Sequence, residues 1–296
     1  MIVSVEVPQD VFARASEIAR AQRLSVADVF AAACVGHIAA WERLESRAKR
    51  ADRTKFLAGL AKVPDVEADE LDRFGRRIAM SELLREAWLT VEPGDYEKHM
   101  AGIGQAQANA GLMAAWLAAG AGPGAVLVAG AGTGQMFDFL GAEQVRPEEM
   151  VFSDWNPRFL EELRGRLERT GRRPGETVVD NIEQTGLVGP YLNVAITLVL
   201  EHVEWRLALR SLVGWGAERV LLVIQENPTH IAGAVTPGRT VPGTMNVFRE
   251  RAAPHLIPVE ELTAAMAEAG FRRERMETAV VSDEKKMLGC WFVTAS

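Results

Sequence analysis

The run Val126 to Gly134 constrains this chain most: four apolar residues lead directly into Gly130-Ala131-Gly132-Thr133-Gly134. A short apolar run opening into alternate glycines reads as a buried strand entering a tight turn, with a helix expected beyond it. Glycine lets the main chain pass close to a ligand, and the expected helix N-terminus presents free N–H groups there. The dinucleotide spacing is Gly-x-Gly-x-x-Gly; here position 135 is Gln, so the spacing is Gly-x-Gly-x-Gly. The loop is of the nucleotide-binding class, although tight packing alone also produces such turns.

The following strands add to this. Met150 to Ser153 is apolar and ends at Asp154, 20 residues after Gly134, where a carboxylate can accept from both hydroxyls of a ribose. Thr177 to Val179 ends in Asp180-Asn181-Ile182, which offers a polar group to an adenine amino group and an apolar face to the purine. Val194 to Val199 and Arg219 to Ile224 are two further strands, with helices at Pro157 to Thr170 and Trp205 to Trp215. Such alternation predicts a parallel α/β sheet. Helices at Arg76 to Leu89 and Tyr96 to Ala119 precede it; helix Val259 to Ala269 and an antiparallel pair, Met276 to Val281 and Met287 to Thr294, close it.

Composition bounds the function. A net charge of −7 and a pI near 5.4 give no protein-wide basic field to hold polyanions. Two cysteines, Cys34 and Cys290, make neither a disulfide framework nor a cysteine-rich zinc site, and with no basic, apolar leader at the N-terminus they predict a cytoplasmic protein. Ala101 to Phe137 carries no charged side chain, but Gln105, Gln107, Asn109, Pro123 and its glycines exclude a membrane span.

Residues 1–74 read as a separate module from 75–296. Ile2 to Val7 alternates like a half-buried strand, a helix from Pro8 runs to about Gln22 to Leu24, and Ser25 with Asp28 resembles a capping box opening a second helix. The segments "VSVEVP" and "LSVADVFAAA" resemble the ribbon-helix-helix family over residues 2–40. That resemblance implies a homodimer paired through the strand, and DNA binding with Ser4 and Glu6 facing the groove. A carboxylate there is repelled by phosphate, and residues 1–75 hold 11 Lys/Arg against 12 Asp/Glu, so dimerisation is favoured over DNA binding.

Residues 95–296 resemble the class I S-adenosylmethionine-dependent methyltransferases. "AGAGTG" matches the family's glycine loop, implying cofactor contacts from Gly130, Ala131, Gly132 and Gly134. "FSDWNP" matches the second motif, with Asp154 at the ribose and Trp155 and Asn156 beside the adenosine; "VVDNIE" supplies Asp180, Asn181 and Ile182 at the adenine. "NVAITLVLEHV" matches the fourth strand and brings Leu198 to the cofactor, and "AGF" at Ala269 to Phe271 matches the entry to the last two strands. Tyr96 and Met100 are expected to flank the sulfonium and Gln105 to reach the cofactor carboxylate. The resemblance implies a Rossmann-like, seven-stranded, mostly parallel sheet with a C-terminal antiparallel hairpin, and methyl transfer to an O, N or C atom of a small molecule. Two positions depart from the pattern: Val128 stands where an acidic residue is frequent, and Asn193 opens the fourth strand in place of Asp. A cofactor-sensing DNA-binding regulator is the alternative.

For a proton-bearing acceptor the first candidate base is His202, with Glu201 beside it, after the fourth strand. The long segment Asn227 to Pro258 reads as a substrate lid carrying His230, Arg249 and His255, with Arg251 beside them. Glu201, His202 and His230 do not form a specific metal spacing, so no metal is expected.

Overall fold

The computed structural model describes residues 9–22, 25–27, 29–31, 81–120, 125–141, 143–228, 231, 241–250 and 254–295. The chain divides into two compact units, Met1–Ala68 and Asp69–Ser296. In the first, helix α1 (Gln9–Gln22) buries Ala15 and Ala19, four residues apart on one face. The expected strand 2–7 lies outside the described residues.

In the second unit, helix α2 (81–90) is followed by α3 (Pro93–Ile103) and α4 (Gln105–Ala118). The single helix expected from Tyr96 to Ala119 is thus two, because Gly104 turns into the left-handed region (φ 73°) and its N–H bonds back to Ala101 and Met100. Strands β1 (Val126–Ala129), β2 (Met150–Asp154), β3 (Glu176–Val179), β4 (Asn193–Thr197) and β5 (Arg219–Glu226) alternate with helices α5 (Pro157–Arg169) and α6 (Trp205–Gly214). A short helix α7 (Val247–Glu250), then α8 (Val259–Glu268), lead into β6 (Phe271–Val280) and β7 (Lys286–Thr294).

The sheet order is β3-β2-β1-β4-β5-β7-β6, with β1 to β5 parallel and β7 antiparallel to both neighbours. Alternation along each strand loads both faces. Leu127, Ile196, Val220 and Leu222 pack under α6 and α8 against Trp205, Leu209, Trp215 and Leu262. Val126, Val128, Phe152, Ala195, Leu221 and Val223 pack on the other face against Trp116 of α4 and Leu160, Leu163 and Leu167 of α5. Residues 272–275 of β6, Arg-Arg-Glu-Arg, are all exposed, so the strand begins earlier than its apolar pattern suggested; a charged edge discourages further strand pairing.

The helix expected after Gly134 is instead a 3-10 stretch of five residues, Gln135–Phe139. Arg172 explains its end. Its guanidinium donates to the carbonyls of Phe137 and Leu140, taking acceptors that a longer helix would need.

Among the described residues no helix is long and apolar enough to cross a membrane, and no cluster of three or more His, Cys, Asp or Glu is placed to hold a metal.

Candidate functional site

The C-terminal ends of the five parallel strands open into one cavity of about 220 Å³. The chain runs from β1 outward to β3 and then returns to place β4 on the other side of β1, so the strand order reverses at β1 and β4, where ligands of open α/β sheets bind.

The glycine loop forms the floor. Gly130 sits at φ 70°, and a Cβ there would stand 2.1 Å from Val199 Cγ2. Gly132 sits at φ 58°, where a Cβ would lie 3.1 Å from the Tyr96 hydroxyl. Both positions therefore need glycine for conformation and for space. Ala131 and Gly134 complete the loop's lining.

Asp154, at the end of β2, is held by this loop. Its Oδ2 accepts the Gly132 N–H at 2.9 Å and its Oδ1 the Asn156 N–H at 2.8 Å. Burial pushes its pKa up to about 6, against the pull of those N–H donors. Each oxygen keeps acceptor capacity for a ligand hydroxyl. Trp155 lines the cavity with its indole N–H buried and without a partner among the described residues, and Arg85 lies 5.8 Å from its ring centroid.

After β3, Asp180 accepts from the Thr185 hydroxyl and the Gly186 N–H, both at 2.8 Å; Asn181 caps the turn 182–184 by accepting the Glu183 N–H at 3.1 Å, and Ile182 presents its apolar side chain. β4 stops at Thr197 because Leu198 turns to φ 57°. For a leucine this conformation costs on the order of 1–3 kcal/mol, and such strain gathers at ligand sites.

Helix α3 is fastened over the loop. Arg166 of α5 donates to the Thr133 carbonyl at 3.1 Å and pairs with Glu97 and Asp138, while Gln135 donates to the Glu97 carbonyl at 3.2 Å. This brings Tyr96, Met100 and Gln105 to the cavity wall. Burial, with Asp154 nearby, holds the Tyr96 hydroxyl above its usual range.

Next to the loop, just past Val199, the turn 200–202 carries Glu201 and His202. Glu201 is 3% exposed; its Oε1 accepts the Gln225 N–H at 2.7 Å, and its Oε2 has no hydrogen-bond partner among the described residues. Burial raises its pKa to about 7. His202 stands edge-on to Trp88 (centroids 4.9 Å apart) and near Phe248 (5.8 Å); burial, then the charge of His255, lowers its pKa to about 3.

Two expected site residues take other roles. Asn156 is 1% exposed and does not line the cavity: its carbonyl oxygen caps α5 by accepting the Arg158 N–H, and its amide donates to the Trp88 carbonyl at 2.9 Å. His255 is also off the lining, and its backbone N–H donates to the Glu201 carbonyl at 3.0 Å. Arg249 lies on α7, one residue beyond Phe248; His230 and Arg251 lie outside the described residues.

One wall of the cavity was not read from the sequence. Trp88, Phe159, Val241, Met245 and Phe248 wall it, from α2, α5 and the segment 241–250. Thr244 ties that segment to α3, donating from its N–H (2.8 Å) and hydroxyl (2.9 Å) to Asp95, whose pKa those bonds lower. The spacing Leu84, Ala87, Trp88, Val91 marks a buried helical face without saying what it faces.

No protein-family profile matches the chain, and no curated protein is significantly similar to it in sequence. Solved structures do resemble it. Burkholderia thailandensis 1,6-didemethyltoxoflavin-N1-methyltransferase, with bound 1,6-didemethyltoxoflavin and S-adenosylhomocysteine, aligns at TM-score 0.50 and 14% identity over 78% of this chain and 93% of that one. Magnesium protoporphyrin IX methyltransferase from Synechocystis PCC 6803 aligns at TM-score 0.49 and 15% identity over 78% of this chain and 100% of that one. The likeness is one of fold.

Proposed function

We propose that the chain is an S-adenosylmethionine-dependent methyltransferase acting on an O, N or C atom of a small molecule. One observation carries the reading. The glycine loop, Asp154, Asp180 with Ile182, and the strained Leu198 turn, from four successive parallel strands, converge on a single cavity. The residues suit the cofactor. Asp154 has spare acceptor capacity for ribose hydroxyls, Ile182 and Trp155 offer apolar surface to a purine, and the loop lets backbone come close where a Cβ would block it. Val128, buried in the core, supplies no carboxylate to the cofactor's amino group, a role left to uncharged groups of the wall.

When bound, the cofactor supplies an electrophilic methyl on a sulfonium with a good leaving group. The chain's part is alignment and exclusion of water: α3 and the segment 241–250, joined through Asp95 and Thr244, cover the cavity, and Trp88 and Phe248 place an acceptor against the loop side. Residues 1–74 are proposed as a dimerising module, which their sequence pattern supports.

Calorimetry of the full chain with S-adenosylmethionine and S-adenosylhomocysteine tests the reading. Binding is expected, and Asp154→Ala should weaken it by roughly a hundredfold or more, since two hydrogen bonds to a charged group are lost. Absence of binding by the wild type refutes it.

A further inference from the structure

We propose that Glu201, through its carboxylate oxygen Oε2, takes a proton from the methyl acceptor, and therefore that the acceptor is a planar molecule bearing an O–H or N–H. This rests on the methyl-transfer reading of the cavity.

Glu201 is built as a fixed group with one open valence. Its turn is closed by the His202 N–H on the Val199 carbonyl (2.9 Å), and its own carbonyl is held by the His255 N–H (3.0 Å). Gln225 of β5 occupies Oε1. Oε2, buried on a cavity-lining residue, has no partner among the described residues, and a buried polar atom left so costs stability unless a ligand satisfies it.

His202, the sequence's first choice, does not suit the task. Its ring stands edge-on to Trp88 with Phe248 beside it, and burial, lowering its pKa to about 3, keeps it uncharged at neutral pH, so it is a poor holder of the acceptor's proton. Glu201, near 7, passes readily between its two forms. The titratable groups about it are His202 on its own turn and His255 on the strand-free segment before α8; Arg85, Tyr96 with His99, Asp154, Asp180 and Lys285 line the same cavity from α2, α3, β2, the end of β3 and the β6–β7 turn.

The walls select the acceptor's shape. Trp88 touches Phe248 (4.5 Å between centroids) and Tyr96 touches Phe159 (4.9 Å), so the rings form one aromatic wall of the cavity, a surface that favours a flat, apolar body. The proton ledger closes within the site. The O–H or N–H bond breaks, its proton goes to Oε2, the freed electron pair forms the new bond to methyl, and the electrons of the broken carbon–sulfur bond stay on the donor's sulfur.

The test uses the full chain loaded with S-adenosylhomocysteine, titrated with 7-hydroxycoumarin and, separately, 7-methoxycoumarin; fluorescence excitation separates bound phenol from phenolate. Wild type should prefer the hydroxy probe by about tenfold, the worth of a charge-assisted hydrogen bond, and raise its phenolate fraction above that in buffer at the same pH. Glu201→Gln, which keeps an acceptor for the Gln225 N–H, should lose both the preference and the ionisation while still binding S-adenosylhomocysteine. His202→Asn should weaken both probes alike and keep the preference. The proposal is overturned if the loaded wild type does not bind the hydroxy probe, if it binds both probes equally, or if Glu201→Gln retains the ionisation. Failure to bind S-adenosylhomocysteine at all would instead remove the cofactor reading beneath it.

Discussion

Replacing Gly130 by alanine separates the two reasons for a glycine at the cavity floor. The backbone there sits at φ 70°, which costs an L-residue on the order of 1–2 kcal/mol. The new Cβ would lie 2.1 Å from Val199 Cγ2 and 3.3 Å from Val199 Cβ, an overlap relieved by a strained Val199 rotamer or by a shift of β1 or of the turn after β4. Overpacking of that kind costs roughly 1–3 kcal/mol. The single variant should therefore lose about 2–5 kcal/mol, or roughly 4–20 °C in melting temperature for a unit of this size. Val199→Ala removes the clashing methyl groups and leaves the dihedral cost in place. Urea unfolding of the wild type, both single variants and the double variant gives the coupling between the sites, expected at about 1–3 kcal/mol in favour of the pair. If Gly130→Ala costs under about 1 kcal/mol, or if the two substitutions simply add, the loop does not pass against Val199 as described.

Further outcomes follow from the same geometry. Affinity for S-adenosylhomocysteine should be flat above pH 6 and fall toward tenfold per unit below it, because the Asp154 carboxylate must be ionised to accept from the ribose; calorimetry across pH 4.5 to 8 checks this, and a flat profile would count against the ribose role. Glu201 has a folded pKa raised from 4.5 to about 7, so its contribution to stability is present at low pH and lost as pH rises through 7. Glu201→Gln should then stabilise the protein at pH 8 by on the order of 3 kcal/mol and much less at pH 4, measured by denaturant unfolding; equal effects at both pH values would contradict the burial cost. Asn156→Ala should cost about 2 kcal/mol, combining the lost cap of α5 with the unsatisfied Trp88 carbonyl, with cofactor affinity changed far less than by Asp154→Ala.

How much of this was legible depends on the range of the forces involved. β1 was read at its observed bounds, Val126 to Ala129, because an apolar run ended by alternate glycines is a local signal that no distant contact reverses. Asp154, Asp180 and Leu198 sit at strand ends, and strand ends are also local, so this part of the cavity lining could be enumerated in advance. The short 3-10 stretch after Gly134 could not, since it is ended by Arg172, more than 30 residues away. Asn156 misled for a related reason. It is two residues from Asp154, yet its side chain is consumed by a helix cap and by α2.

By itself, then, the amino-acid order determined the alternation of strands and helices, the sharp turn of the glycine loop and the carboxylates that follow it, all consequences of periodicity and backbone freedom within a few residues. Only the packed structure decided which groups share the space above them. Trp88, Phe159 and Phe248 come from segments far apart in the chain yet line one cavity with Glu201 and His202, and burial drives those two ionisable groups in opposite directions: desolvation disfavours whichever form is charged, the carboxylate in one and the imidazolium in the other.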